Sequence, residues 1–320
     1  MERILVTGGA GFIGSNFCNL NKEEYEVIAL DNLFLGDERN LLPDIRFIKG
    51  DACTKEDLDK AGPVDYVVHL AGTSSAPMFM DDGFVEGYVN SIQSFATVLD
   101  WARRNGAKKV LYASTSSLYG NNPLPLVEDQ QVTPINHYAV TKRTYEYCAR
   151  CYNKVYPQMD IVGFRFMSVY GPNEEAKGIY ANLISQFCWD IARDKAPVIY
   201  GDGTQTRDFT NVRDVAQGLI LAIKTDKKLG ADVFNIGTGR ATSVNEIVDA
   251  LNKAFGKNIK PKHIENPVKE DYVLGQYADI SKIKEVLDYE PTVRLETGIK
   301  EQVESLKIEK IRETSSDQYR

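Results

Sequence analysis

The sequence predicts an α/β protein built on a doubly wound parallel sheet, with a smaller C-terminal domain interleaved with it. Three observations predict this. Apolar runs fit for buried parallel strands alternate with helix-like segments as far as Phe166. The first run, Ile4-Leu5-Val6, is followed at once by Gly8, Gly11 and Gly14, with the apolar pair Phe12-Ile13 inside the last interval. The second run ends on an acid, Asp31. A glycine triplet alone is weak evidence, but between a strand and a helix it has a mechanism. The first glycine permits the tight turn, the second lets backbone approach a pyrophosphate, and the third lets the helix pack on the strand. The helix N-terminus then offers free N–H groups and the positive end of its dipole to phosphates. Asp31 stands near the roughly 20-residue spacing of the acid that accepts ribose hydroxyls. It favours NAD, because a carboxylate repels the extra phosphate of NADP and no arginine follows immediately to rescue it.

The elements follow in order. A helix is expected from the glycine turn to about Asn21, and a strand over 27–30. Residues 45–48 read as the third strand, before Gly50-Asp51-Ala52, and 64–70 as the fourth, closed by Ala71-Gly72. Ligands collect beyond the carboxyl ends of such strands, so Asp51, Ala52, Leu70 and Ala71 are placed to line an adenine and ribose. His69, inside an apolar strand, is expected to be a satisfied core residue. A long helix over 84–105 precedes a fifth strand over 109–113, which leads into Ser114-Thr115-Ser116-Ser117. A proline-containing loop then gives way to a helix over 137–156 and a sixth strand over 161–166. The second half is less regular. Helices are expected over 180–193, 212–224, 244–255 and 280–287, a short strand over 198–200, and an extended stretch over 208–210. Residues 232–236 read as a strand able to rejoin the first sheet.

Composition bounds the function. The 320 residues suffice for a real core in one large or two ordinary domains. A net charge of −7, with no basic block before the tail, argues against nucleic acid as the main partner. No apolar run is long enough to span a bilayer, and the chain opens on a strand rather than a secretory leader. Five scattered cysteines, an odd number, read as reduced thiols in the cytoplasm. Cys148 and Cys151 form a lone C-x-x-C inside a helical pattern with no second pair and no histidine nearby, so no metal site is expected.

Thr115, Tyr138 and Lys142 carry the chemistry. Four-residue spacing puts Tyr138 and Lys142 on one helix face. A free phenol titrates near pH 10, too high for a base at neutral pH. A nearby ammonium and the positive charge of an oxidised nicotinamide favour the phenolate. Such a tyrosine can take the proton of a substrate hydroxyl as hydride leaves the same carbon for the cofactor. A hydroxyl such as that of Thr115 can bridge tyrosine and substrate oxygen.

TGGAGFIGS at the start, ASTSSLYG at 113–120, YAVTK at 138–142, RFMSVYGP at 165–172, GDGTQTRDFTNVRD at 201–214, NIGTGRATSV at 235–244 and YADISK at 277–282 together resemble the extended short-chain dehydrogenase/reductases that act on nucleotide sugars. Within that family the chain most resembles the UDP-glucose and UDP-glucuronate 4-epimerases. The resemblance implies a Rossmann domain over 1–167, partly rejoined by 201–240. It implies a nucleotide-sugar-binding domain from 168–200 and 241–307, and leaves 308–320 as a mobile tail. It implies NAD held by Gly8, Gly11, Phe12, Ile13, Asp31, Asn32, Asp51, Ala52, Leu70, Ala71, Asn90, Tyr138 and Lys142. It places the nucleotide half of a UDP-sugar on Asn182, Leu183 and Arg207, the last suited to fork onto a diphosphate. Ser116 and Ser117 stand where related dehydratases carry an acid and decarboxylases a glutamate, so hydride abstraction and return are favoured over elimination. Ser168 replaces the asparagine that many 4-epimerases place before VYGP, and the resemblance puts a small hydroxyl there in glucuronate epimerases. Lys269 stands near a second phosphate contact where an arginine is usual, a point charge in place of a fork. A homodimer through the helices near 84–104 and 137–156 is implied as well.

The implied reaction removes the proton of the 4-hydroxyl with Tyr138 and passes through a 4-keto sugar, with UDP-glucose and UDP-galactose the leading pair. UDP-glucuronate and UDP-N-acetylglucosamine remain alternatives. GPNEEAKGIYAN at 171–182 introduces another, since it resembles a stretch of the ADP-heptose 6-epimerases in which a lysine is a second acid/base. Lys177 matches that lysine; it can equally bind a carboxylate or phosphate, or sit solvated on a loop. A non-catalytic NAD-binding regulator is the reading from another class, and the intact Thr115, Tyr138 and Lys142 argue against it.

Overall fold

The computed structural model describes residues 1–80, 83–266, 272–306 and 313–319. In chain order it contains β1 (Arg3–Thr7), α1 (Phe12–Asn21), β2 (Glu26–Asp31), β3 (Arg46–Lys49), α2 (Lys55–Asp59), β4 (Tyr66–His69), α3 (Gly83–Arg104), β5 (Lys109–Thr115), α4 (His137–Val155), β6 (Asp160–Phe166), β7 (Ser168–Tyr170), α5 (Leu183–Ala192), β8 (Val198–Tyr200), β9 (Thr206–Arg207), β10 (Phe209–Asn211), α6 (Val212–Lys224), β11 (Val233–Ile236), β12 (Thr242–Ser243), α7 (Val244–Phe255), β13 (Lys262–Ile264), α8 (Ser281–Leu287) and α9 (Leu295–Glu304).

Seven strands form one parallel sheet in the order β11-β6-β5-β4-β1-β2-β3. Their side chains alternate between two buried faces. Ile4, Val27, Val68, Leu111 and Val162 look one way, and Leu5, Ile28, Val67, Val110 and Ile161 the other. Helices cover both faces, which is why the strands read as unbroken apolar runs. The strand order reverses between β1 and β4, so a crevice opens beyond their carboxyl ends. A separate core of Ile184, Phe187, Ile191, Ile247, Leu251 and Ile299 packs α5, α7 and α9 together. Two-stranded pairings β10–β7, β12–β9 and β13–β8 stitch the second half together. The turn of sequence after β8 returns the chain to the main sheet through α6 and β11.

Two expectations are corrected. The helix expected over 180–193 begins only at Leu183, because Asn182 caps it by accepting a hydrogen bond from Ile184 N at 3.0 Å. The tail expected to be mobile over 308–320 is docked in its described part, 313–319. Thr314 and Ser316 are fully buried. Thr314 Oγ1 donates to Asp190 Oδ1 at 2.9 Å, Ser315 N donates to Gln186 Oε1 at 2.7 Å, and Ser316 Oγ accepts from Val198 N at 3.0 Å. The docking is polar, so the missing apolar period could not reveal it. Among the described residues no helix is long and apolar enough to cross a membrane.

Candidate active site

The glycine turn after β1 is held against its neighbours. Gly8 N donates to Leu30 O at 2.8 Å. Its φ is +72°, and a Cβ there would stand 2.8 Å from Ala71 N, so only glycine lets the β1 and β4 loops meet. A Cβ on Gly14 would collide with Gly8 O, which is the close helix–strand packing the spacing predicts. Helix α1 starts at Gly11 with no side chain capping it. Its first N–H groups therefore stand uncompensated on the wall of a cavity of about 610 Å3 at the sheet's switch point.

Asp31 closes β2 on the same wall and is almost fully buried. Burial pushes its carboxyl up, while hydrogen bonds from the Leu33, Ala10 and Gly11 amides pull it back. Oδ1 accepts from Leu33 N at 2.8 Å and Oδ2 from Ala10 N at 3.1 Å, which fixes the carboxylate at the crevice.

Thr115 ends β5, and its hydroxyl oxygen caps the following turn by accepting from Ser117 N at 3.1 Å. The same hydroxyl lies close enough to Tyr138 to favour its phenolate. Asn136 caps α4, accepting from Ala139 N at 2.9 Å, and so sets where Tyr138 enters. Burial raises the Tyr138 phenol, and the Thr115 hydroxyl lowers it. One turn on, Lys142 is buried and pulled down to about 7 by desolvation. Among the described residues no acceptor takes a hydrogen bond from its ammonium. An uncapped helix start, a fixed carboxylate and a buried ammonium with no acceptor share one cavity. These fit the pyrophosphate and ribose hydroxyls of NAD.

Behind the site lies a buried network. Arg165 on β6 forks onto Glu146 of α4, with Nε–Oε1 and Nη2–Oε2 both 2.9 Å. Ser114 Oγ donates to Glu146 Oε1 at 2.8 Å, and Arg165 Nη1 donates to Tyr119 Oη at 2.9 Å. The residues on either side of the Thr115 turn are thereby tied to the Tyr138 helix.

At the other end Arg207 lines the cavity. Nη1 donates to Thr206 O at 2.7 Å, and the Tyr272 ring lies 5.6 Å away. Burial lowers its pKa from an arginine's ordinary value, and no carboxylate among the described residues pairs with it. Such a guanidinium is available to a phosphate. Lys177 is different: its Nζ is 3.1 Å from Oε1 of buried Glu174, which also accepts from Asn182 N and Ser185 Oγ. It stands 5.8 Å from the Phe12 ring, beside the glycine turn.

The wall brings together Gly8, Gly11, Phe12, Ile13, Asp31, Asn32, Asp51, Ala52, Leu70, Ala71 and Asn90 with Thr115, Ser116, Ser117, Tyr138, Lys142, Ser168, Lys177, Asn182 and Arg207. Leu183 is not on it; as the first residue of α5 it packs into the α5–α7–α9 core. Lys269 lies outside the described residues. His69 is buried in β4 with Nδ1 paired to Thr7 Oγ1 at 2.8 Å, but Nε2 has no partner, so it is only half satisfied. Glu174, Tyr272 and Tyr180 are wall residues that the sequence reading missed. Glu174 carried a signal, standing three residues before Lys177. Tyr272 had none, because its neighbourhood with Arg207 is created only by folding.

A model of the family described as NAD dependent epimerase/dehydratase matches residues 4–237. The chain is 34% identical over 310 residues to a putative UDP-glucose 4-epimerase of Methanocaldococcus jannaschii, covering 95% of this chain and 98% of that one. It is similar to the solved structure of UDP-glucose 4-epimerase from Thermotoga maritima with UDP-glucose, with a TM-score of 0.88 and 32% identity over 95% of this chain and 98% of that one. It is also similar to UDP-glucuronic acid 4-epimerase from Bacillus cereus in complex with UDP-glucuronic acid and NAD, with a TM-score of 0.85 and 30% identity over 96% and 99%.

Proposed function

We propose a function from the premise that this chain belongs to the NAD dependent epimerase/dehydratase family: it is an NAD-dependent UDP-sugar 4-epimerase, with UDP-glucose and UDP-galactose as its substrate pair. One observation carries this reading. Thr115, Tyr138 and Lys142 line the same cavity as an NAD-type glycine turn, and the Thr115–Ser117 stretch brings no carboxylate to it. Elimination of water needs a proton donor beside the departing hydroxyl. Removal and return of hydride needs only one base at the reacting oxygen.

Bound NAD supplies a hydride acceptor that can give the hydride back to the other face of carbon 4. Gly8, Gly11 and the start of α1 would hold its pyrophosphate, Asp31 its adenosine ribose, and Lys142 the ribose beside the nicotinamide. Tyr138 accepts the proton of the 4-hydroxyl and later returns it. Thr115 donates to the phenolate and fixes its direction. Arg207 grips the diphosphate of the nucleotide sugar, so the sugar ring can turn over while its UDP stays anchored.

The sugar end is read by Ser116, Ser117, Ser168 and Gln276, all uncharged. A neutral hexose fits these hydroxyls and this amide, which both donate to and accept from sugar hydroxyls. Lys177 is already committed to Glu174 beside Phe12, which supports a role at a phosphate rather than as a second acid/base.

The test is proton NMR of the anomeric signals with UDP-glucose, UDP-N-acetylglucosamine and UDP-glucuronate in separate tubes. We expect the galacto-configured product from UDP-glucose. Conversion of another sugar alone would reassign the substrate, and silence in all three would move the chemistry to Lys177 and a different nucleotide sugar.

The assembly we propose is a homodimer across α3 and α4. Phe84, Val85 and Val89 on α3 and Val140 and Tyr147 on α4 are exposed apolar side chains on two packed helices. Light scattering should give twice the 35.9 kDa chain mass, and Val89→Glu should shift it toward one.

A further inference from the structure

Lys142 has an aromatic face where Lys109, the other buried lysine among the described residues, has backbone carbonyl acceptors. Its Nζ lies 4.6 Å from the centroid of the Tyr145 ring and 5.9 Å from that of Tyr138. Tyr145 is itself fixed. It is 1% exposed, its hydroxyl donates to Ser91 O at 2.7 Å, and its ring stacks on Phe95 at 4.3 Å with planes 9° apart. Two contacts from α3 thus hold one ring under the ammonium.

We propose that Tyr145 is a positioning residue for the reaction: its ring face seats the Lys142 ammonium beside Tyr138 and keeps it charged there. The proposal rests on the reading of Tyr138 as base and Lys142 as its cationic partner.

The neighbourhood leaves the ring this role. The titratable groups facing Lys142 and its seat are Tyr138 and Tyr145 on α4, His69 on β4, Tyr112 on β5, which burial keeps a phenol, and Cys53 after β3. Burial, with the Lys142 charge, pulls His69 down to about 3, so it is neutral. Burial pushes Cys53 up to about 12, so it stays a thiol. No carboxylate is among them. Desolvation brings the lysine down to about 7, where a small contribution changes how much of it is charged. A desolvated cation–π contact is large enough to move a titration by about one pH unit. The ring's hydroxyl is spent on Ser91, so the face and not the phenol does the seating.

The test uses full-length protein labelled with 13Cε-lysine, and follows the Lys142 signal against pH before and after adding NAD. Tyr145→Phe keeps the ring and should leave the midpoint within a few tenths of a unit. Tyr145→Leu removes the ring and should lower it by about one unit. It should also move the acid limb of kcat up by a similar amount with KM for the UDP-sugar nearly unchanged, because a neutral lysine no longer favours the phenolate. Should the leucine variant fold poorly, pentafluorophenylalanine at position 145 keeps the shape while withdrawing the negative face, and should lower the midpoint in the same way. Midpoints in the leucine and fluorinated proteins equal to the wild type would overturn the proposal. A Tyr138→Phe enzyme with full turnover would overturn the reading beneath it instead, and the lysine midpoints would still decide the seat.

Discussion

Tyr138→Phe is expected to lower kcat for UDP-sugar epimerisation by about a thousandfold, within the range that a single general acid/base supplies. The substitution removes one oxygen. The ring that Lys142 overlies is kept, and Tyr138 is only half-buried, so little packing is lost. The phenol lies near the Thr115 hydroxyl, and both residues line the cavity. In the proposed mechanism, losing the phenol would deprive the 4-hydroxyl of its proton acceptor in the transition state and leave the grip proposed for Arg207 on the nucleotide untouched. The pattern should therefore be a fall in kcat with KM changed by no more than a few fold. The thermal midpoint should stay close to the wild type. Steady-state kinetics on both proteins, with UDP-sugar binding by calorimetry, checks this. A loss below tenfold would show that another group takes the proton, and Lys177 would be the next to replace.

The cofactor half of this site is written locally. Gly8, Gly11, Gly14 and Asp31 have meaning because strand, turn, helix and strand follow one another without interruption, and short-range geometry fixes where each must go. Tyr138 and Lys142 are legible for the same reason: a helix relates them by one turn. Tyr145, three residues beyond Lys142, lies on the same face, but an aromatic residue at helical spacing reads as core. It is core, and the ammonium on its ring is visible only once α3 has brought Ser91 and Phe95 against it.

The substrate half was less legible because its residues come from segments far apart in sequence. Arg207 and Tyr272 become neighbours through β9 and the segment before α8, and Glu174 reaches Asn182 and Ser185 around the start of α5. Leu183, which the resemblance places beside the nucleotide, presents its side chain elsewhere. It follows Asn182, which lines the cavity, yet as the first residue of a helix it turns toward the α5–α7–α9 core. The tail misled in the opposite sense, since Thr314 and Ser316 are buried through hydrogen bonds that leave no apolar period to read.

Glu146→Ala is expected to cost about 3–5 kcal/mol of stability at neutral pH, the cost of removing one partner of a buried ion pair. Glu146 is fully buried and Arg165 is 1% exposed. Without the carboxylate, Arg165 keeps its charge in the interior with only Tyr119 Oη and Glu128 O to solvate it, and Ser114 Oγ loses its acceptor. The thermal midpoint should fall by roughly 10 °C. The pH dependence has a definite sign. Burial pushes the Glu146 carboxyl up, but the Arg165 guanidinium and the Ser114 and Arg143 contacts outweigh it and hold it below the usual carboxylate range. A depressed carboxylate stabilises the fold fully above its unfolded pKa, about 4.3, and loses that contribution as pH falls through its folded value. The gap between wild type and variant should accordingly be constant from pH 8 to about 5 and narrow below about 4. Replacing both partners, Glu146→Met with Arg165→Met, should recover much of the loss, because no unpaired charge then remains inside. The double variant should still lose turnover, since the network that ties the Thr115 strand end to the Tyr138 helix is gone. Denaturant midpoints across pH measure the first effect, and kcat of the refolded double variant the second. Equal turnover in the double variant and the wild type would show that the site needs only the packing of β5 against α4, and not the charges between them.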